Sequence, residues 1–174
     1  LRNTVLFPGV VFPVTVGRDK SIKLIQDAYK GDKIIGVVAQ KDQNIEDPTA
    51  KDLYPVGTLA HILKMLKMPD GNITVIIQGK RKFKLDEITQ EEPYFRGNIT
   101  ATTDSKANKG KETNATVSSI RDLASQIVEV SPNIPSEASF ALKNINSPNF
   151  LVNFISSNLN VSVDEKQEIL ELSV

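Results

Sequence analysis

In the amino-terminal part of the chain, apolar residues recur in short runs rich in β-branched side chains, and each run stops at a turn residue. The runs cover 10–16, 34–40, 59–68, 73–78, 82–88 and 95–102, which predicts a strand at each. One helical pattern interrupts them at 18–29. There Ile22, Ile25, Ala28 and Tyr29 share a face, Asp19 is placed as the N-cap, and Gly31 is the stop. The run 59–68 carries two signals at once, because Leu59, Ile62, Leu63 and Leu66 also fall at helical spacing. Pro69-Asp70-Gly71 decides it. That triplet presets a tight turn, and "NITVIIQG" after it has no helical period, so 59–68 is the first arm of a hairpin. Strict alternation along that arm puts Ala60, Ile62, Leu66 and Met68 on one face with Lys64, and Leu59, His61, Leu63 and Met65 on the other.

Beyond "DSKANKGKE" (104–112), which holds no apolar anchor except Ala107 and reads as a connector, the period changes to about 3.6 residues. Val117, Ile120, Ala124, Ile127 and Val128 form one stripe that ends near Ser131-Pro132. A short helix follows Ser136, with Phe140 and Ile145 expected to point inward. Ser147-Pro148 gives an N-cap and a proline in the first turn of a third helix, whose buried face is Phe150, Leu151, Phe154, Ile155 and Leu159. Ser162-x-x-Glu165 is a capping box for a fourth. The expected fold is therefore α+β, with a β-rich lobe over 1–103 that carries one inserted helix, and an all-α lobe over 113–174. Val174 reads as a boundary inside a longer polypeptide.

Composition narrows the chemistry. The 174 residues are 40% hydrophobic and 24% charged, as in a globular domain, and 21 basic residues balance 21 acidic ones. No net field selects a polyanion or a membrane surface. Without cysteine and with His61 as the lone histidine, disulfides, a thiol nucleophile and zinc sites built from Cys or His are excluded. No apolar run approaches the ~20 residues of a membrane span, and no signal peptide opens the chain, so a cytoplasmic location is expected. A phosphate-binding loop is missing too, since Gly79-Lys80 and Gly110-Lys111 lack the glycine before and the hydroxyl after. "GKRKFK" (79–84) is the most concentrated charge. Alternation sets Lys80, Lys82 and Lys84 opposite Arg81 and Phe83, a layout for tracking a phosphate backbone or for a solvated strand face. The solvated face is the better reading, because no other basic or aromatic cluster supports the first.

"LRNTVLFPGVVFPVTVGRDKSI" (1–22), "VVAQKD" (37–42) and "DLYPVGTLAHILKMLKMPDGNITVIIQG" (52–79) resemble, in order, spacing and turn residues, the amino-terminal domain of the ATP-dependent Lon proteases; "VDEKQEILEL" (163–172) adds to the likeness in the helical part. The resemblance implies a small PUA-like β-barrel lobe joined to a helical bundle. It implies a non-catalytic substrate-recognition and assembly module, with the AAA+ ATPase and serine-lysine protease domains elsewhere in the polypeptide. No cofactor is expected in this part, while ATP and Mg belong to the full-length protein. The implied partners are unfolded or damaged proteins and the other subunits of a homo-hexamer, with neither membrane nor nucleic acid among them. The alternatives are a PUA-like nucleic-acid-binding module using the lysine strand, and a free-standing Lon-domain protein.

A domain that grips clients of varied sequence needs adaptable apolar surface, to which methionine is suited. Met65, Leu66, Met68 and Pro69 at the hairpin end are the candidates for substrate or subunit contact. Arg18, Asp19, Lys20 and Lys23, at the start of the helix in the β-rich lobe, are the polar candidates.

Overall fold

The computed structural model describes residues 1–102, 110–132 and 136–172. Most of the connector expected at 104–112 lies outside them. Its end does not: Gly110 is the N-cap residue of a helix that already begins at Lys111.

Five strands form one antiparallel sheet: β1 (Val11–Val16), β2 (Ile34–Val37), β3 (Val56–Lys67), β4 (Ile73–Gln90) and β5 (Arg96–Ala101). The pairing path runs β1-β4-β3-β2, with β5 added to the distal half of β4. This path is open at β1 and β2 rather than closed on itself. With helices α1 (Asp19–Lys30), α2 (Lys111–Val130), α3 (Ser136–Asn144), α4 (Pro148–Asn158) and α5 (Val163–Glu171), the class is α+β. The β3–β4 hairpin exists, so the turn chemistry of Pro69-Asp70-Gly71 does override the helical spacing before it.

Two strands expected at 73–78 and 82–88 are a single strand, and the reason lies at Gly79. Its N–H donates to the Val10 carbonyl and its own carbonyl accepts from Gly9, so another stretch of main chain crosses directly above it. A Cβ on Gly79 would run into the Phe7 carbonyl, which makes this glycine a close-approach residue and not a turn. Lys80 is absorbed as a bulge between the pairs Ala60–Gly79 and Leu59–Arg81.

The main core lies between the sheet and α1. Leu6, Ile25, Ala60, Ile62, Ile73, Val75 and Ile77 are buried there, each large side chain contributing roughly 1.5–3 kcal/mol of transfer free energy. Asp19 is the first residue of α1 and not its cap; Arg18 holds the N-cap position in extended conformation without a side-chain bond. The Asp19 carboxylate instead sits in the first turn, where it meets the positive end of the helix.

A second core joins the sheet to the last helix. Val5, Phe7, Val10 and Ala39 pack on Leu170 of α5, and the buried Gln167 amide donates to the Val56 carbonyl at 2.9 Å. Tyr54 donates to Asp164 at 2.6 Å, and Gly9 lies beneath the Phe150 ring. The capping box expected at Ser162 is formed: its hydroxyl accepts from Glu165 N–H at 3.2 Å, and its own N–H donates to the Glu165 carboxylate at 2.9 Å. Ser147 likewise caps α4, accepting from Phe150 N–H.

The helices α2, α3 and α4 meet around Leu142, Ile145 and Leu151. Ile145 is buried as expected, but Phe140 is 73% exposed. Leu142 takes the inward position on α3, and Phe140 lies on the opposite side of that helix.

Candidate functional site

The hairpin tip is held by its own polar side chains. Gly71 takes φ +87°, Met68 N–H donates to the Asn72 carbonyl at 2.8 Å, and Asn72 donates from both backbone and amide to the Asp70 carboxylate. Such an Asx turn fixes the last residues of the arm without apolar packing. Leu66 and Met68 are 41% and 43% exposed, and Pro69 is exposed beside them.

A bulge decides which residues face out. Ile62 pairs with Ile77 and Lys64 with Ile76, so Leu63 has no partner and the alternation shifts by one residue. After it, Met65 lies across from Val75 and packs half-buried on the main core, whereas Leu66 lies across from Thr74 on the solvent face. The face expected to hold Ala60, Ile62, Leu66 and Met68 together is therefore split, with the first two in the core and the last two outside. Leu63, 45% exposed, joins the outer set without having been foreseen. The adjacent apolar pair Ile62-Leu63 was the signal: alternation places only one of two consecutive large aliphatics in the core, and here it is Ile62. Val11 and Ile34, also exposed, extend the apolar outer surface along β1 and β2.

The polar candidates sit elsewhere. A cleft of about 890 Å3 lies between α1 and β2 on one side and the distal β4 arm with β5 on the other. Arg18 and Lys20 line it; none of Met65, Leu66, Met68 and Pro69 does. Arg18 donates to the Gln40 amide oxygen at 3.2 Å, and burial lowers its pKa. Lys20 pairs with Glu92 at 2.7 Å, a bond that raises its pKa. Lys23 pairs with Asp27 at 3.1 Å, one turn along the helix. That bond, with a second one from the Tyr94 hydroxyl at 3.2 Å, holds the Asp27 carboxyl below its usual range. Arg96 donates in turn to Tyr94. These contacts strap α1 to the loop between β4 and β5, so Lys20 and Lys23 are already engaged within the chain.

Of the lysine strand, Lys82 points to α5, donating to the carbonyls of Leu170 and Leu172. Phe83 is buried and offers no ring for stacking. His61 is half-buried on β3 between Ile34 and Gln78. Among the described residues no group of three or more His, Cys, Asp or Glu is placed to hold a metal ion, and no helix is long and apolar enough to cross a membrane.

The comparisons agree with this architecture. The solved amino-terminal domain of Lon protease from the Mycobacterium avium complex superposes with a TM-score of 0.75 at 16% identity, covering 99% of this chain and 87% of that one. A Lon N-terminal domain protein from Xanthomonas campestris gives 0.67, also at 16% identity, covering 99% of this chain and 87% of that one. In sequence, Lon protease of Flavobacterium johnsoniae is 55% identical over 174 residues, 99% of this chain and 21% of that protein. Lon protease of Cytophaga hutchinsonii is 48% identical over 172 residues, 98% of this chain and again 21% of the relative. The chain thus spans about a fifth of the length of these relatives, and the part it matches is not the catalytic one. The model for the substrate-binding domain of the ATP-dependent protease La (Lon) matches residues 1–173, and the chain belongs to that family.

Proposed function

We propose that these residues form the client-recognition and assembly domain of an ATP-dependent Lon serine protease, binding unfolded or damaged proteins ahead of their degradation. One observation carries this reading: Leu63, Leu66 and Met68 all stand more than 40% exposed on one arm of a paired hairpin. Monomeric domains seldom leave several large aliphatics exposed together unless something covers them. The unbranched thioether of Met68 can repack against clients of different shape. In the full-length protein the domain works within a homo-hexamer in the cytoplasm, and ATP with Mg is handled by domains outside these residues. The β-rich part, 1–103, is proposed to be a PUA-like lobe and 113–174 a helical one. The curl of β4–β5 back toward α1 supports the first assignment, and the separate core around Leu142 and Leu151 supports the second.

The rival reading, a nucleic-acid groove along 80–84, loses support because Lys82 is committed to α5. The test is a titration of an unfolded model protein against the unmodified chain and the Leu66→Ser, Met68→Ser double variant at low and high salt. Binding should weaken by about tenfold in the variant and change little with salt, as expected when two partly buried apolar contacts are lost. Equal binding by both forms would discard the hairpin as the contact. A single-stranded oligonucleotide that binds the unmodified chain with a steep salt dependence would instead favour the nucleic-acid reading.

A further inference from the structure

The cleft between α1–β2 and the β4–β5 arm has a volume of about 890 Å3, within the ~300–1,000 Å3 range of ligand sites. Its floor is apolar, with Leu59, Phe83, Leu85, Ile88 and Ile99 among the lining side chains. Two features define what fits it. Consecutive residues 34–38 line one wall, as the edge of a strand does and its face does not. Only β3 pairs with β2, so among the described residues the second edge of β2 has no strand against it, and β5 likewise pairs only with β4. Gly36, in the middle of β2, lies against the Phe83 ring, which a Cβ there would approach to 3.1 Å, so this glycine lets the floor of the cleft close onto β2. Charge then disfavours strongly charged ligands. The charged residues lining the cleft are three cations, Arg18, Lys20 and Arg96, and three anions, Asp27, Asp32 and Asp47. Such a balance attracts neither a polyanion nor a strongly basic segment.

We propose that the cleft is a second client site, in which an uncharged apolar stretch of polypeptide lies extended along the edge of β2 at Gly36, between the Ile34 N–H that donates to Asp32 and the Val38 carbonyl that accepts from the Leu1 amine, and pairs with the main chain there. Strand addition of this kind takes affinity from backbone hydrogen bonds and selectivity from the pockets under alternate side chains. It suits a domain that must hold many sequences, because every client supplies the same main chain. Ile34 and Ile99, 50% and 41% exposed, are the apolar side chains that an entering segment covers. The inference rests on the reading of the domain as a binder of unfolded protein, and it adds a backbone-directed grip to the side-chain contact at the hairpin.

The experiment uses the whole 174-residue chain. An uncharged apolar octapeptide, blocked at both ends, is titrated beside a copy N-methylated at alternate residues, with amide hydrogen exchange followed over residues 34–37. Three results are expected. The parent peptide binds and slows exchange along β2; the methylated copy, unable to donate along one edge, binds at least about tenfold more weakly; and Ile99→Asp weakens the parent by a similar factor. Equal binding of the two peptides, or unchanged exchange over 34–37, overturns the proposal. The peptide comparison is made on the unmodified chain, so it stands even where Ile99→Asp lowers stability. If an unfolded protein binds and responds to Leu66→Ser with Met68→Ser while the octapeptide does not bind, the cleft fails and the client-binding reading survives. If neither ligand binds, both fall.

Discussion

The Lys82 ammonium, on the central strand β4, donates to the Leu170 carbonyl of α5 at 3.1 Å and to that of Leu172 at 3.0 Å. A helix ends with unpaired carbonyls and a partial negative charge, so a cation at that point satisfies acceptors and opposes the dipole together. The last helix is thus bonded to the sheet that carries both candidate surfaces. Lys82→Met keeps the aliphatic stem and removes the donor. We expect a loss of about 1–2 kcal/mol, read as a fall in melting temperature of about 2–4 °C per kcal/mol for a chain of this size. A variant that melts with the unmodified chain would show the clamp to contribute nothing.

Tyr54 and Asp164 make the joint sensitive to alkali. The bond to the carboxylate pushes the phenol up from its usual 10 to about 12. The folded state therefore favours the neutral phenol. Its contribution is complete below pH 10, where both folded and unfolded chains keep the proton, and disappears as the pH rises through 12. The melting temperature of the unmodified chain should fall more steeply across this window than that of Tyr54→Phe, and the two curves should converge at its upper end. Parallel curves throughout would mean that the bond does not hold in solution.

Thr58 tests the inner face of β3. It is fully buried, and its hydroxyl donates to the Leu6 carbonyl at 2.7 Å. Thr58→Val has nearly the same shape and strands that carbonyl, at a cost of about 1–3 kcal/mol. Thr58→Ser keeps the donor and should lose less, about 1 kcal/mol for the missing methyl. Chemical denaturation ranks the two, and a more damaging serine would show that packing outweighs the hydrogen bond here.

Local signals with a single physical meaning were legible in the sequence: the Pro69-Asp70-Gly71 turn, the Ser162–Glu165 capping box, the Ser147-Pro148 helix start. Each is decided within a few residues, so no distant contact can overrule it. What was lost depends on partners far along the chain. Gly79 reads as a break between strands until the Phe7–Val10 backbone is seen crossing it. Phe140 reads as core until Leu142 is seen filling the position under α2. The hairpin candidates were correctly placed at the strand end, but which of them faces out turned on one unpaired residue, Leu63, because a one-residue slip exchanges the two faces of everything beyond it.

That slip yields the most discriminating prediction, since it gives the two methionines of the chain opposite tasks. Met65 packs half-buried on the main core beside Val75, while Met68, 43% exposed, stands at the tip outside that core. Serine in place of Met65 removes apolar contact and sets a hydroxyl against aliphatic neighbours, costing about 1–3 kcal/mol for a side chain that is only partly enclosed. Serine in place of Met68, which lies outside that core, should cost less, about 0.5 kcal/mol. Client binding should reverse the order. Met68→Ser loses a contact that a client buries, whereas Met65→Ser, measured well below its melting temperature, should bind nearly as the unmodified chain does. The two single variants, each followed by thermal unfolding and by titration with an unfolded protein, settle the assignment. Should Met65→Ser weaken binding while leaving the melting temperature unchanged, Met65 faces clients, and the bulge at Leu63 does not divide the two faces as described.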